Sequence, residues 1–180
     1  GLDDERIFTL RNVSDTDKIK NDINIRKPQK AVVIGGGFIG LEMVENLHHL
    51  GLETTVIERN NQVMTPLDFG MASIVHQHLK SKNVRLLLEE SVTGFIPHDE
   101  GVDVTLGSGK SIPADIVILS IGVRPEVALA KEANIETGSL GGIKVNDYMQ
   151  TSDEHIYALG DAVEVFNPVT GKPALIPLAG

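Results

Sequence analysis

The sequence contains no cysteine. Disulfides, thiolate metal sites and a thiol nucleophile are therefore excluded from this chain. Long apolar runs are missing too. Although 41% of the 180 residues are apolar, no run approaches the roughly 18 consecutive residues of a membrane span, so no membrane partner is expected. Residues 1–25 are charged and hold no apolar h-region, so no secretory leader and a cytoplasmic location are expected. Positive charge is scarce: 16 Lys and Arg stand against 25 Asp and Glu, a net charge of −9. That balance argues against a nucleic-acid backbone as partner. It leaves room for a small anion, because backbone amides and a helix dipole can supply local positive potential. The length suits one domain, or one domain plus pieces of another.

The stretch Lys30 to Glu58, KAVVIGGGFIGLEMVENLHHLGLETTVIE, organises the rest. Ala31-Val32-Val33-Ile34 is apolar without alternation, as in a strand buried on both faces of a parallel sheet. Gly35, Gly37 and Gly40 follow in G-x-G-x-x-G spacing. The first allows a sharp turn, the second lets a pyrophosphate approach the backbone, and the third lets the next helix pack closely on the strand. The helix begins with free N–H groups and its positive dipole end turned toward that phosphate. Gly51 is expected to end it at C′. Glu53 to Ile57 reads as a second strand, and Glu58 follows at the distance of the ribose-binding acid, about 20 residues on. A carboxylate there accepts hydrogen bonds from ribose hydroxyls and repels a 2′-phosphate. Arg59 beside it pulls the other way, but Asn60, Asn61 and Gln62 add no second positive charge, so NADH is expected over NADPH. The plainer alternatives are a glycine-rich turn without a ligand and a solvated acid at a strand end.

Around this unit, Ile7–Arg11 reads as a short strand, followed by a helix capped by Ser14 or Asp15 and running to about Ile25. Asp68 is placed as N-cap of a helix to about Lys82, with Met71, Ile74, Val75 and Leu79 on the buried stripe. Val84–Leu88 reads as a strand. The crossover helix is then missing. Val92–Pro97, Val102–Leu106 and Lys110–Ile112 read instead as an antiparallel meander with turns at His98–Gly101 and Gly107–Gly109. Asp115–Ser120 is again a doubly buried strand, running into Gly122-Val123-Arg124-Pro125. A helix from Glu126 to about Ala133, a glycine turn at 138–142 and a strand at Ile143–Val145 complete the reading. The expected fold class is α/β: a Rossmann-like, doubly wound parallel sheet with an antiparallel β-meander crossover. His48 with His49, and His76 with His78, lack metal-ligand spacing, so solvated helix faces are expected for them and no metal site.

Taken in order, GGGFIGLE, VIE, the meander, DIVILSIGVRPE and TSDEHIYALGDA resemble the FAD-dependent pyridine nucleotide-disulfide oxidoreductases. The resemblance is to their NADH oxidase, NADH peroxidase and coenzyme A-disulfide reductase branch. It covers residues 7–180, and the closing Ile176-Pro177-Leu178-Ala179-Gly180 is most similar to the coenzyme A-disulfide reductases and NADH oxidases. It implies the FAD/NAD(P)-binding fold, with residues 1–27 the tail of a FAD domain's first half and connector. Residues 28–148 would be the NAD-binding domain and 149–180 the return into the FAD domain. A separate flavin fingerprint, the redox-active cysteine and a dimerisation domain do not occur in the sequence. Together with a start at Gly1 rather than Met, this gives the expectation of a piece of a longer, homodimeric enzyme that binds dinucleotide but does not turn over alone.

The resemblance also implies site roles. An aromatic at Phe38 would lie near the flavin and move aside for nicotinamide, with Ile39 beside it; ordinary packing on the sheet is the alternative. Glu42 would point toward nicotinamide and flavin, or belong to a solvated stripe with Glu45 and His49. Asp161 would hydrogen-bond the ribityl chain of FAD. The Gly122-Val123 loop, at the carboxyl edge of a parallel strand, would line the cofactor crevice, while Arg124 reads equally as a surface charge. Two other functions stay open: a compact flavoprotein whose single fingerprint binds FAD, and a non-catalytic NAD-sensing module.

Overall fold

β-branched runs set the centre of this protein. The computed structural model describes residues 1–177, and the chain divides into two units, Gly1–Gly122 and Val123–Gly180. The first contains, in order, β1 (Ile7–Thr9), α1 (Val13–Arg26), β2 (Lys30–Ile34), α2 (Phe38–His49), β3 (Glu53–Ile57) and α3 (Phe69–Ser81). It continues with β4 (Arg85–Leu87), β5 (Val92–His98), β6 (Gly101–Leu106), β7 (Ser111–Ala114) and β8 (Ile116–Leu119). Five strands form a parallel sheet in the order β1-β8-β2-β3-β4. In its central register Val33 lies between Val56 and Ile118.

Period-two alternation assigns the two faces of that sheet to different layers. Ala31, Val33, Val56, Ile116 and Ile118 pack with Val44, Leu47 and Leu79 of the helices. Val32, Ile34, Ile57 and Val117 pack with Val102, Val104, Leu106 and Ile112 of the meander. The α/β class with its meander is as the sequence indicates, and the layer the crossover helix would have filled is the antiparallel sheet β5-β6-β7.

Some local expectations are corrected. The cap of α1 is Asn12, whose side chain accepts from the Asp15 N–H at 3.0 Å, while Asp15 accepts from the Arg11 N–H. Asp68 stands at the N-cap of α3 but makes no side-chain cap bond. The buried stripe of α3 is Ala72, His76 and Leu79. Met71 and Ile74 are exposed, and Val75 only partly packs. His76 is therefore a core residue and not part of a solvated face. Helix α2 ends as the sequence indicates: Gly51 has φ 89°, its N–H bonds the His48 carbonyl, and the Leu52 N–H bonds the Leu47 carbonyl. That is the paired hydrogen bonding of a Schellman C-cap.

The second unit contains α4 (Ala128–Glu132), β9 (Ile143–Lys144), β10 (Val163–Asn167) and β11 (Lys172–Leu175), with sheet order β11-β10-β9. The expected helix and strand are present but shorter. β10 and β11 were not foreseen, although Val163-Glu-Val-Phe alternates and Gly171, φ 66°, marks the turn between them. Buried Glu164 accepts from the Leu140 N–H at 2.8 Å and from Ser139 Oγ, pinning the glycine turn. Of the closing IPLAG, Leu178 to Gly180 lie outside the described residues.

Candidate functional site

Strand β2 ends at Ile34, and the chain turns at once through Gly35 with φ 104°, a backbone region that costs an L side chain energy. A Cβ at Gly35 would also strike the Ser120 carbonyl oxygen, and one at Gly40 would strike the Gly35 carbonyl oxygen. These two glycines are thus fixed by close approach. Gly37 differs: nothing lies within 4 Å of the position its Cβ would take. The space over it is open. Gly37 is also the N-cap of α2 and offers no side-chain cap. The first-turn N–H groups of that helix are therefore left for a ligand, at the positive end of its dipole.

The sheet places this opening at a topological switch point. β2 has β3 on one side and β8 on the other. A crevice forms outside the carboxyl ends of strands where the winding reverses. A cleft of about 600 Å³ lies there, lined among others by Gly35, Gly37, Glu58, Arg59 and Gly122. Val92 and Phe95 of the meander supply an apolar wall. The meander therefore builds part of the site as well as part of the core.

Glu58 is only 8% exposed. Its Oε2 accepts from the Gly36 N–H at 2.7 Å, and its Oε1 accepts from the Asn60 N–H at 2.9 Å and from Asn60 Nδ2 at 2.7 Å. A carboxylate has about four acceptor positions, so one remains for a ligand hydroxyl. The acid at the end of β3 is held to the fingerprint by its own chain. It is not a free carboxylate at a strand tip.

Gly36 is gripped on its other side too. Its carbonyl accepts from the Met64 N–H at 2.8 Å. Met64 has φ 51°, and the fully buried Val63 before it donates its N–H to His76 Nε2 at 3.2 Å. Accepting at Nε2 requires the neutral imidazole with its proton on Nδ1. Burial first, and the charge of Lys80 second, lowers the His76 pKa, which favours that neutral form. The ring also meets Phe69 edge-on, with centroids 6.2 Å apart.

The remaining candidates are placed as follows. Phe38 and Ile39 are 44% and 38% exposed at the start of α2, so part of each side chain is open to solvent. Glu42 is exposed one turn on, beside exposed Glu45 and His49. Arg59 is exposed on the cleft, and Gly122, φ 107°, closes its rim. Val123 opens the second unit and is exposed; Asp161, also exposed, follows Gly160 with φ 93° in that unit. The first unit brings together Gly35, Gly37, Glu58, Arg59 and Gly122. Sequence reasoning missed Asn60 as a partner of Glu58, the Val63-Met64-His76 contact and the meander wall. The i, i+4, i+7 spacing of Ala72, His76 and Leu79 is the signal that could have found the histidine.

Comparison with known proteins gives a consistent result. The pyridine nucleotide-disulphide oxidoreductase family matches residues 1–180. A coenzyme A disulfide reductase of Staphylococcus haemolyticus is 36% identical over 179 residues, 99% of this chain and 40% of the relative. An NADH oxidase of Methanocaldococcus jannaschii is 36% identical over 98% of this chain and 39% of its own length. Among solved structures, reduced Bacillus anthracis CoADR-RHD has TM-score 0.89 and 52% identity, covering 96% of this chain and 31% of that one. The water-forming NADH oxidase of Lactobacillus brevis bound to NADH has TM-score 0.86 and 30% identity, over 99% of this chain and 39% of that one. An engineered NADPH oxidase made from it, bound to NADPH, has TM-score 0.88 and 30% identity over the same shares. The chain spans about two fifths of the length of the curated relatives it matches.

Proposed function

The chain belongs to the pyridine nucleotide-disulphide oxidoreductase family, and from that premise we propose that it is the NADH-binding part of a flavin-dependent oxidoreductase. The observation that carries this reading is the open space over Gly37 at an uncapped helix start, framed by two glycines whose Cβ atoms would collide with backbone. A diphosphate suits the amides of Gly37, Phe38 and Ile39. Glu58 offers its remaining acceptor position to a ribose hydroxyl, and its negative charge disfavours a 2′-phosphate. Arg59 and Gly122 border the cofactor, while Phe38 and Glu42 face its nicotinamide end.

When bound, the nicotinamide would supply a hydride for a flavin held mostly outside this chain, with a disulfide, peroxide or oxygen as the final acceptor. This chain's share is binding and orientation. Asp161 belongs to the flavin side of the same enzyme, and residues 28–148 form the nicotinamide-cofactor domain. The cysteine such chemistry uses is not in this sequence, so the chain alone binds dinucleotide without turnover. In the complete enzyme, a homodimer, the rest of the FAD domain and a dimerisation domain are its partners.

Calorimetric titration of the purified chain with NADH and NADPH tests this. NADH is expected to bind at least about tenfold more tightly, a difference of about 1.4 kcal/mol. Gly40→Ala, which drives a methyl group into the Gly35 carbonyl, is expected to abolish binding. Binding of neither nucleotide overturns the reading, and equal affinity for both overturns the role given to Glu58.

A further inference from the structure

Helix α3 reaches the nucleotide site without touching it. Its His76, buried among core residues, accepts the Val63 N–H through Nε2 at 3.2 Å. Val63 is wholly buried, and its Cγ1 lies 2.7 Å from the position a Cβ on Gly36 would take. The next residue, Met64, donates its N–H to the Gly36 carbonyl at 2.8 Å. Met64 holds φ 51°, a left-handed conformation that a non-glycine side chain adopts at a cost. The segment is therefore held by its surroundings and not by local preference. On the opposite side, Glu58 takes the Gly36 N–H at 2.7 Å. Both backbone polar groups of Gly36 are thus tied down, and the Gly37 amide, in the same peptide plane as the Gly36 carbonyl, takes its direction from it, with Phe38 next in line.

We propose that His76 is a positioning residue for dinucleotide binding: through Val63 and Met64 it fixes Gly36 and so aims the fingerprint amides at the diphosphate. The role rests on the NADH-binding reading above and deepens it. What matters is the acceptor at the Nε2 position, not the bulk of the ring. Preorganised amides bind an anion without first being ordered, so loosening them raises the dissociation constant while leaving every ligand contact formally available. No sequence motif records this residue, because it lies 36 positions beyond the last fingerprint glycine and its hydrogen bond goes to a loop.

The test uses NAD+, which carries no hydride to donate, titrated into the full chain and into three variants. His76→Gln keeps an acceptor at about the Nε2 reach, His76→Asn carries one too short to reach, and His76→Leu removes it. Expected are affinity within about twofold of wild type for Gln and a loss of about tenfold for Leu and Asn. Circular dichroism should show all variants folded at the assay temperature. Amide exchange supplies the readout a general loss of stability would not move: Gly36 and Met64 should exchange faster in Asn and Leu, while Val32 and Val56 in the sheet keep their protection. If Leu fails to fold, the Gln and Asn pair decides. Wild-type affinity in Asn, or a loss in Gln equal to that in Asn, overturns the proposal. A wild-type chain that binds no NAD+ overturns the NADH reading first and this one with it.

Discussion

At the scale of single residues, the site is held by polar groups whose partners lie a few residues away in space and unmarked in sequence. Glu58 was legible as an acid at the right distance from the glycines. Its bonds to Gly36 and Asn60 were not, because they depend on the path of a loop that no periodicity describes. His76 was misread for a related reason: a histidine on an amphipathic helix is usually solvated, and only the tertiary partner Val63 makes burial affordable. That partner has a pH consequence. The buried His76 holds its proton less well in the folded chain than in the unfolded one, so unfolding takes up a proton. Stability present above the ordinary histidine pKa of about 6.5 is lost as pH falls through the lowered folded value. Thermal melts of wild type and His76→Gln should diverge accordingly. The wild-type Tm falls more between pH 7.5 and 5.5 than that of Gln, which has nothing to titrate at that position, and parallel shifts would contradict the assignment.

At the scale of elements, the long signals in the sequence were the reliable ones. β3 (Glu53–Ile57) has its expected limits, and α2 stops where Gly51 said it would. The short pieces were harder. α1 starts from Asn12, and not from Ser14 or Asp15, because its side chain takes the Asp15 N–H while the Asp15 carboxylate turns back to the Arg11 N–H. The stripe of α3 turned by one position because Met71 and Ile74 are apolar without being buried. β10 and β11 escaped because a two-strand hairpin of a few residues each offers little periodicity to count. The C-cap gives an element-scale prediction. A Cβ on Gly51 meets nothing within 4 Å, yet φ is 89°. Gly51→Ala therefore pays only for its backbone conformation, about 1–2 kcal/mol, read as a lower urea midpoint with an unchanged slope. A neutral substitution would show that the helix end relaxes into another conformation.

At the scale of the whole molecule, the parallel sheet of the first unit is covered by unlike layers, helices on one face and the meander on the other. If both are integral core, shaving a methylene from either face carries the same kind of penalty. Ile118→Val on the helix side and Ile57→Val on the meander side should each destabilise by about 1 kcal/mol. The two faces share no packing partners, so the double variant should show the sum. Denaturant unfolding measures all three; a neutral Ile57→Val would mean that the meander rests on the sheet without being part of it.

The insertion of that meander also sets an order of events during synthesis. The central strand β2 finds one neighbour in β3 soon after it is made, but its other neighbour, β8, pairs from 85 residues further along, with Ala31 against Ile116. A ribosome adds about 5–20 residues per second. For several seconds, therefore, a hydrophobic strand edge beside the glycine turn waits unpaired, open to chaperones or to another nascent copy.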